Sequence, residues 1–255
     1  MTGGDELNVE ASRLISDGEE AGIVLRALGS VGVGLHCPPS LAEMTSRDRR
    51  PKDIDLVGRK QDRRGLRAFF DSRGYEADRN MLVAMEGSRY LFRSASRNID
   101  VDVWVDVLDL CHRIDVSGRM GEGPSLAIED LLLSKLQIVE LTENDIQDLS
   151  CLLSIHDLGG PHLGKAADDP ETVDVAYLIS ILGDDWGFWR TVTDNLRRLV
   201  SHVHSEGPAG NSRRWAELLL SELEQCPKTI RWRLRARVGE RVKWWQDVDI
   251  PRDTY

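Results

Sequence analysis

The spacing of apolar residues in the first half of the chain alternates between helical and extended patterns. Helical spacing predicts helices over Val9–Glu20, Arg59–Arg73 and Leu126–Leu141, and a further helix capped by Thr142. Extended spacing predicts strands over Ile23–Leu28, Asp53–Val57, Arg89–Phe92 and Asn98–Asp106. The last strand has the clearest pattern, because small aliphatic residues alternate with polar or aromatic ones.

The second half of the chain is dominated by helical spacing. Helices are predicted over Val173–Leu182, Trp186–Val203 and Trp215–Cys226. A loop rich in glycine and proline, from Gly159 to Asp169, separates the two halves. We therefore predict an α+β protein, with a mixed sheet flanked by helices in residues 1–158 and an all-helical C-terminal part in residues 165–255.

Composition and charge narrow the class of protein. The chain has 255 residues, 41% apolar and 30% charged, which is a globular composition. A net charge of −10 argues against general coating of nucleic acid and suits metal ions or a cationic substrate. The sequence has no signal-peptide pattern and no apolar run of about 18 residues, so we expect a cytoplasmic protein that binds no membrane. The four cysteines form no CxxC pair, so we expect reduced thiols and no zinc knuckle.

Acidic residues on two predicted strands form the strongest candidate site. Asp53 and Asp55 point to one face of a strand, about 7 Å apart, and repel each other unless a cation lies between them. A lone Asp-x-Asp is also typical of a half-exposed strand. If the Asn98–Asp106 strand lies alongside, Asp100, Asp102 or Asp106 adds a third carboxylate. Such oxygen donors suit Mg²⁺ or Mn²⁺ bound together with substrate phosphates.

Three other features carry candidate chemistry. Gly29-Ser30 follows a strand, where a glycine lets the backbone approach a phosphate, although Gly-Ser is usually only a turn. Lys135 interrupts an apolar helix face, where most lysines extend to solvent. In Cys111-His112 the neighbouring side chains point apart, which favours a buried cysteine and a surface histidine.

Several motifs in order resemble one superfamily over residues 23–155. They are Gly29-Ser30, Arg49-Arg50-Pro51-Lys52-Asp53-Ile54-Asp55-Leu56, Val101-Asp102-Val103-Trp104-Val105-Asp106, Leu132-Leu133-Ser134-Lys135-Leu136 and Asp145-Ile146-Gln147-Asp148-Leu149. Together they resemble the nucleotidyltransferase superfamily of the DNA polymerase β type, in particular its AbiEii-like and small-molecule branches. The resemblance implies a nucleotidyltransferase-like mixed sheet.

The resemblance also implies roles for individual residues. Asp53 and Asp55 would bind the metals, and Asp102 would be the third carboxylate, with Asp100 as the alternative. Gly29, Ser30, Arg49 and Lys135 would contact the nucleotide. Asp145 and Asp148 form the acidic motif of the following helix, where Asp145 is equally well explained as part of a helix cap.

The implied activity is Mg²⁺- or Mn²⁺-dependent transfer of a nucleoside monophosphate from an NTP, such as ATP, to a hydroxyl. The acceptor could be a small molecule, a tRNA or a protein, and an antitoxin partner is left open. The alternatives are an RNA-binding or toxin-type module with the same fold, and an inactive interaction protein. The basic, tryptophan-rich tail Lys228–Trp245 would either bind single-stranded RNA or pack on the acidic body.

Overall fold

The computed structural model describes residues 3–37, 52–160, 172–203 and 209–248 and is a mixed α+β protein with a mixed sheet. The helices are α1 Gly3–Glu20, α2 Gly29–His36, α3 Arg63–Asp71, α4 Arg79–Ala84, α5 Ile128–Leu136, α6 Glu143–Ile155, α7 Val175–Leu182, α8 Trp186–His202, α9 Ala209–Gln225 and α10 Ile230–Val238. Short 3₁₀ turns cover Lys60–Asp62 and Gly239–Arg241. The strands are β1 Leu25–Ala27, β2 Ile54–Gly58, β3 Glu76–Ala77, β4 Arg89–Ser94, β5 Ile99–Val105, β6 Val107–Asp109, β7 Arg113–Asp115, β8 Asp157–Gly159 and β9 Thr172–Asp174.

The chain divides into two compact units. The first comprises Met1–Leu108 with Asp115–Leu132, and the second comprises Asp109–Ile114 with Leu133–Tyr255. The predicted boundary loop lies largely outside the described residues, so the domain limits 1–158 and 165–255 stay a prediction. Along the described ranges, no helix is both long and apolar enough to cross a bilayer.

The sheet of the first unit has the strand order β1-β2-β5-β4-β3. Strand β2 runs parallel to β5, whereas β1–β2, β5–β4 and β4–β3 are antiparallel. One face carries apolar residues that lie opposite each other in register, such as Ile54 beside Val101 and Leu56 beside Val103. All four are fully buried in a core shared with α1 and α3. The alternation in β5 therefore predicts correctly which of its residues face the core.

Aromatic side chains fix α3 against the sheet. Phe70 of α3 stacks on Phe92 of β4 with ring centroids 4.1 Å apart, and Tyr75 meets Phe70 edge to face. The helix ends at Asp71 with Ser72 as its C-cap, so the predicted end at Arg73 capped by Gly74 is wrong by two residues. Gly74 follows the cap and has φ of +79°, which glycine adopts without strain. The chain can therefore reverse into β3 without strain.

The described part of the second unit is mainly helical, with β8 paired to β9 and with residues of β6 and β7 in its segment Asp109–Ile114. Helix α9 packs against α6 and α8, and Thr142 begins α6 with the predicted capping box to Asp145. The parallel bridge between β8 and β9 is a correction to the all-helical C-terminal part, because Thr172–Asp174 is extended. Helix α5 also ends at Leu136, earlier than predicted.

The basic tail packs within the second unit. Trp232 of α10 meets Trp189 of α8 edge to face, and the Trp244 indole Nε1 donates a hydrogen bond to Thr191 Oγ1. Arg235 donates to the carbonyl oxygens of Gly239 and Val242. These contacts favour packing over RNA binding, because the tryptophan rings and one of the arginines already have protein partners.

We expect Gly32→Ala to destabilise the fold, although alanine is the better helix former. A Cβ at Gly32 in α2 would lie 2.9 Å from the Ala27 carbonyl oxygen and 2.9 Å from Leu131. Overpacking of this kind costs about 1–3 kcal/mol. Urea denaturation should show the loss, while Gly121→Ala, where a Cβ meets open space, should leave the midpoint unchanged. Equal midpoints for both variants would contradict the close approach of α2 to β1.

Candidate functional site

Parallel pairing of β2 with β5 brings together two of the predicted carboxylates. Asp55 and Asp102 are register partners, and residues opposite each other in register share one face of a sheet. Asp53 is exposed and immediately precedes β2, and its negative charge contributes to raising the pKa of Asp102. Asp53, Asp55 and Asp102 therefore lie in one neighbourhood, as predicted.

The start of α2 lies against the same carboxylates. Gly29 has φ of +62°, a conformation that favours glycine, and a Cβ there would lie 2.0 Å from Asp55 Oδ2. The backbone NH of Leu28, which precedes the helix, donates to the Asp55 carbonyl oxygen at 3.0 Å. Gly29 therefore lies against Asp55, and the adjacent Ser30 is buried. The nucleotide role that the resemblance gives Gly29 and Ser30 stays a prediction. The positive end of α2 favours negative charge at this place.

Asp102 forms a buried ion pair with Arg89, a residue that sequence reasoning missed. The Arg89 Nε lies 3.0 Å from each carboxylate oxygen of Asp102, and Nη2 also donates to Oδ2. The two side chains are only 8% and 12% exposed. The Arg89 guanidinium also lies 4.1 Å from the centroid of the Trp104 ring. Asp102 is therefore already matched by a cation from β4.

The environment of Asp102 affects its ionisation in two directions. Burial raises the pKa of Asp102 above its ordinary range, and the charge of Asp53 adds to the increase. Hydrogen bonds from Arg89 and its positive charge oppose the increase. The net pKa is raised, so Arg89 offsets only part of the cost of burying this carboxylate.

Asp100 and Asp106 contact residues other than Asp55. Asp100 pairs with Arg93, its register partner on β4, at 2.9 Å in an exposed position. Asp106 has φ of +59° at the end of β5, and its Oδ1 accepts a hydrogen bond from the Lys60 backbone NH at 3.0 Å. Since Asp102 is the register partner of Asp55, it is the better candidate for the third carboxylate. Arg49 lies outside the described residues.

Lys135 is buried with the two acidic residues of the following helix. Its Nζ lies 3.2 Å from Asp145 Oδ1 and 2.8 Å from Asp148 Oδ2, and all three residues are at most 7% exposed. Burial acts to raise the pKa of Asp145, but the Lys135 charge and Thr142 hydrogen bonds outweigh it and lower the pKa. The carboxylates thus balance the Lys135 charge inside the second unit, and the nucleotide role of Lys135 stays a prediction.

Carboxylate oxygens are suitable ligands for Mg²⁺, but the described residues do not form the predicted group of three. Over the ranges the structure describes, no group of three or more His, Cys, Asp or Glu side chains could hold a metal ion. Asp53 and Asp55 offer the hard oxygen ligands that Mg²⁺ uses alongside phosphate oxygens. The carboxylate of Asp102 is already paired with the guanidinium of Arg89. Metal binding at Asp53, Asp55 and Asp102 therefore stays a prediction from the sequence.

Cys111 and His112 are placed opposite to the prediction. His112 is 6% exposed, stacks on Phe188 and shares a hydrogen bond of 2.8 Å with Thr191 Oγ1, whereas Cys111 is partly exposed. Cys111 and Cys226 are free thiols, whereas Cys37 and Cys151 are disulfide-bonded, so the expectation of a reduced chain is wrong for those two.

Comparison with known proteins adds no family assignment. No protein-family model matches the chain, and the search of curated proteins returned no match. The candidate site therefore depends on the geometry above.

We expect Lys135→Ala to destabilise the second unit strongly. Removing the lysine takes away a buried cation that contacts two buried carboxylates. Breaking a buried ion pair in this way costs about 3–5 kcal/mol. Chemical denaturation measures the loss, and Lys243→Ala, which breaks an exposed pair with Asp247, should stay within about 1 kcal/mol of wild type. A Lys135→Ala protein as stable as the control would show that the triad contributes little.

We expect His112 to reduce stability in mild acid. Burial lowers the pKa of His112 to about 4, opposed by the charge of Asp185. The unfolded chain therefore binds the proton first as pH falls below about 6.5, and stability drops until about pH 4, by roughly 3 kcal/mol. His112→Gln should remove this part of the pH dependence, whereas exposed His202→Gln should keep it. Parallel curves for wild type and His112→Gln would contradict a neutral buried imidazole.

Proposed function

We propose that the first unit binds a nucleoside triphosphate and transfers its nucleoside monophosphate to a hydroxyl, as nucleotidyltransferases of the DNA polymerase β type do. Asp53 and Asp55 hold one Mg²⁺ or Mn²⁺ with the triphosphate, and Gly29 and Ser30 at the start of α2 receive phosphate oxygens. This proposal also includes the nucleotidyltransferase-like form of the mixed sheet.

One observation carries the proposal. Three segments far apart in sequence, at residues 28–30, 53–55 and 102, meet on one side of the sheet through the register of β2 and β5. A half-exposed strand with an ordinary polar face needs no glycine of positive φ pressed against its carboxylate. A helix start, a glycine of positive φ and neighbouring carboxylates are features that sites for a phosphate group and a cation share.

The chemistry follows the usual balance of phosphoryl transfer. The acceptor oxygen forms a bond to the α-phosphorus, and the bond from that phosphorus to the bridging oxygen breaks. Pyrophosphate leaves with the electron pair, and the acceptor hydroxyl gives its proton to water. A cation bound at Asp53 and Asp55 would neutralise charge on the phosphates. The protein itself positions the reactants and supplies amide donors from α2.

The acceptor stays open among a small molecule, a tRNA and a protein. Because the tryptophan rings and Arg235 of the tail already have partners within the second unit, the structure offers no support for choosing RNA. An α-labelled NTP incubated with Mg²⁺ and separate RNA, protein and metabolite extracts would identify nucleotide and acceptor class together.

We expect Asp53→Asn with Asp55→Asn to abolish nucleotide-dependent stabilisation. Wild type should melt higher with Mn²⁺ and an NTP analogue that has a methylene group between the α- and β-phosphates, because ligand binding favours the folded state. The double variant should lose this shift and all label transfer. Glu6→Gln with Glu20→Gln, two exposed carboxylates of α1, should keep both. If the aspartate variant kept the full increase in melting temperature, the proposed metal site would be wrong.

A further inference from the structure

A cavity of about 530 Å³ opens beside α10 within the second unit. Its walls come from α10, from residues 184–187 at the start of α8, and from residues 243–244 of the tail. Cavities of about 300–1,000 Å³ hold small organic molecules in proteins. We propose that this cavity binds an aromatic molecule with one anionic group, such as an aromatic carboxylate.

The apolar surface of the cavity comes from two indoles and two exposed aliphatic side chains. Trp186 and Trp244 meet edge to face, with ring centroids 5.9 Å apart. Leu234 and Val238, one turn apart on α10, line the same cavity and are 55% and 41% exposed. Covering exposed aliphatic surface is favourable, and a flat ring can also pack against indoles. These residues therefore suit the aromatic part of a ligand.

The charged residues of the cavity favour an anion. The lining cations are Arg231, Arg235 and Lys243, and the lining carboxylates are Asp184 and Asp185, which leaves one net positive charge. Asp185 is the N-cap of α8 and accepts a hydrogen bond from a backbone NH of that helix, and Asp184 pairs with Arg231. Lys243 pairs with Asp247, but both side chains are exposed, and such pairs open readily. Arg235 and Lys243 are therefore the cations that would meet a bound anion.

The side chain of Arg235 is already held in place for this contact. Its Nη1 and Nη2 donate to the carbonyl oxygens of Gly239 and Val242 at 2.7 and 2.9 Å. Its guanidinium carbon lies 4.8 Å from the centroid of the Trp186 ring. The two hydrogen bonds use two of the five N–H groups of a guanidinium, so Arg235 can donate to a carboxylate without leaving its carbonyl partners. A fixed guanidinium loses little conformational freedom when an anion binds.

The test is calorimetric titration of the full chain with 2-naphthoate. We expect wild type to bind it more tightly than 2-naphthamide, which has the ring without the charge, and than acetate, which has the charge without the ring. Leu234→Glu adds a negative charge to the cavity wall and should weaken 2-naphthoate binding about tenfold or more. Ile230→Glu makes the same change at an exposed residue of α10 outside the cavity and should bind like wild type.

A second pair of variants tests the contact with the anion. Arg235→Gln should weaken 2-naphthoate binding about tenfold or more, whereas Arg237→Gln, on an exposed part of the same helix, should not. Far-ultraviolet circular dichroism checks the folding of each variant, and the exposed position of Leu234 keeps the test valid if Arg235→Gln does not fold.

Three results would overturn the proposed ligand class. They are no binding of 2-naphthoate by wild type, equal binding of 2-naphthoate and 2-naphthamide, and equal affinities of Leu234→Glu and Ile230→Glu for 2-naphthoate. Single-stranded RNA that binds wild type in place of 2-naphthoate, and fails to bind Leu234→Glu, would assign the cavity to nucleic acid instead.

Discussion

The parallel register of β2 with β5 is the constraint on which the first unit depends. Strand β5 is the central member of the sheet, with β2 on one side and β4 on the other. The same register aligns Ile54 and Leu56 with Val101 and Val103 in the core and sets Asp55 beside Asp102 on the opposite face. A shift of one residue would bury the carboxylates among aliphatic side chains and expose the core residues, so the packing of one face protects the geometry of the other.

The ion pair of Arg89 with Asp102 links β4 to β5 beside that register. Burying a carboxylate is costly, and the raised pKa of Asp102 shows that the cost is only partly offset. The pair fixes the orientation of the Asp102 carboxylate, because the planar guanidinium donates hydrogen bonds to both of its oxygens. Lys135 with Asp145 and Asp148 applies the same principle in the second unit, where a buried cation joins two helices.

Much of the sheet could be predicted because aliphatic residues at alternate positions leave little choice of face. The same alternation places Asp55 and Asp102 on the face opposite the core. Arg89 was missed because its partner depends on the β4–β5 register, although equal spacing from the turn before Ile99 would have placed it near Trp104. Lys135 was assigned to the nucleotide on the resemblance, and the sequence pattern alone did not reveal the two carboxylates that contact it. His112 was expected at the surface because its buried partners, Phe188 and Thr191, lie far along the chain.

The distribution of tryptophan divides the spectroscopy of the chain between its two units. Trp104 is the one indole of the first unit, and the remaining six belong to the second. Several of these six lie edge to face, as Trp186 with Trp244 and Trp189 with Trp232 do. Tryptophan emission during denaturation therefore follows mainly the second unit, whereas far-ultraviolet ellipticity follows both. Transitions that fail to coincide between the two signals would mean that the units unfold separately.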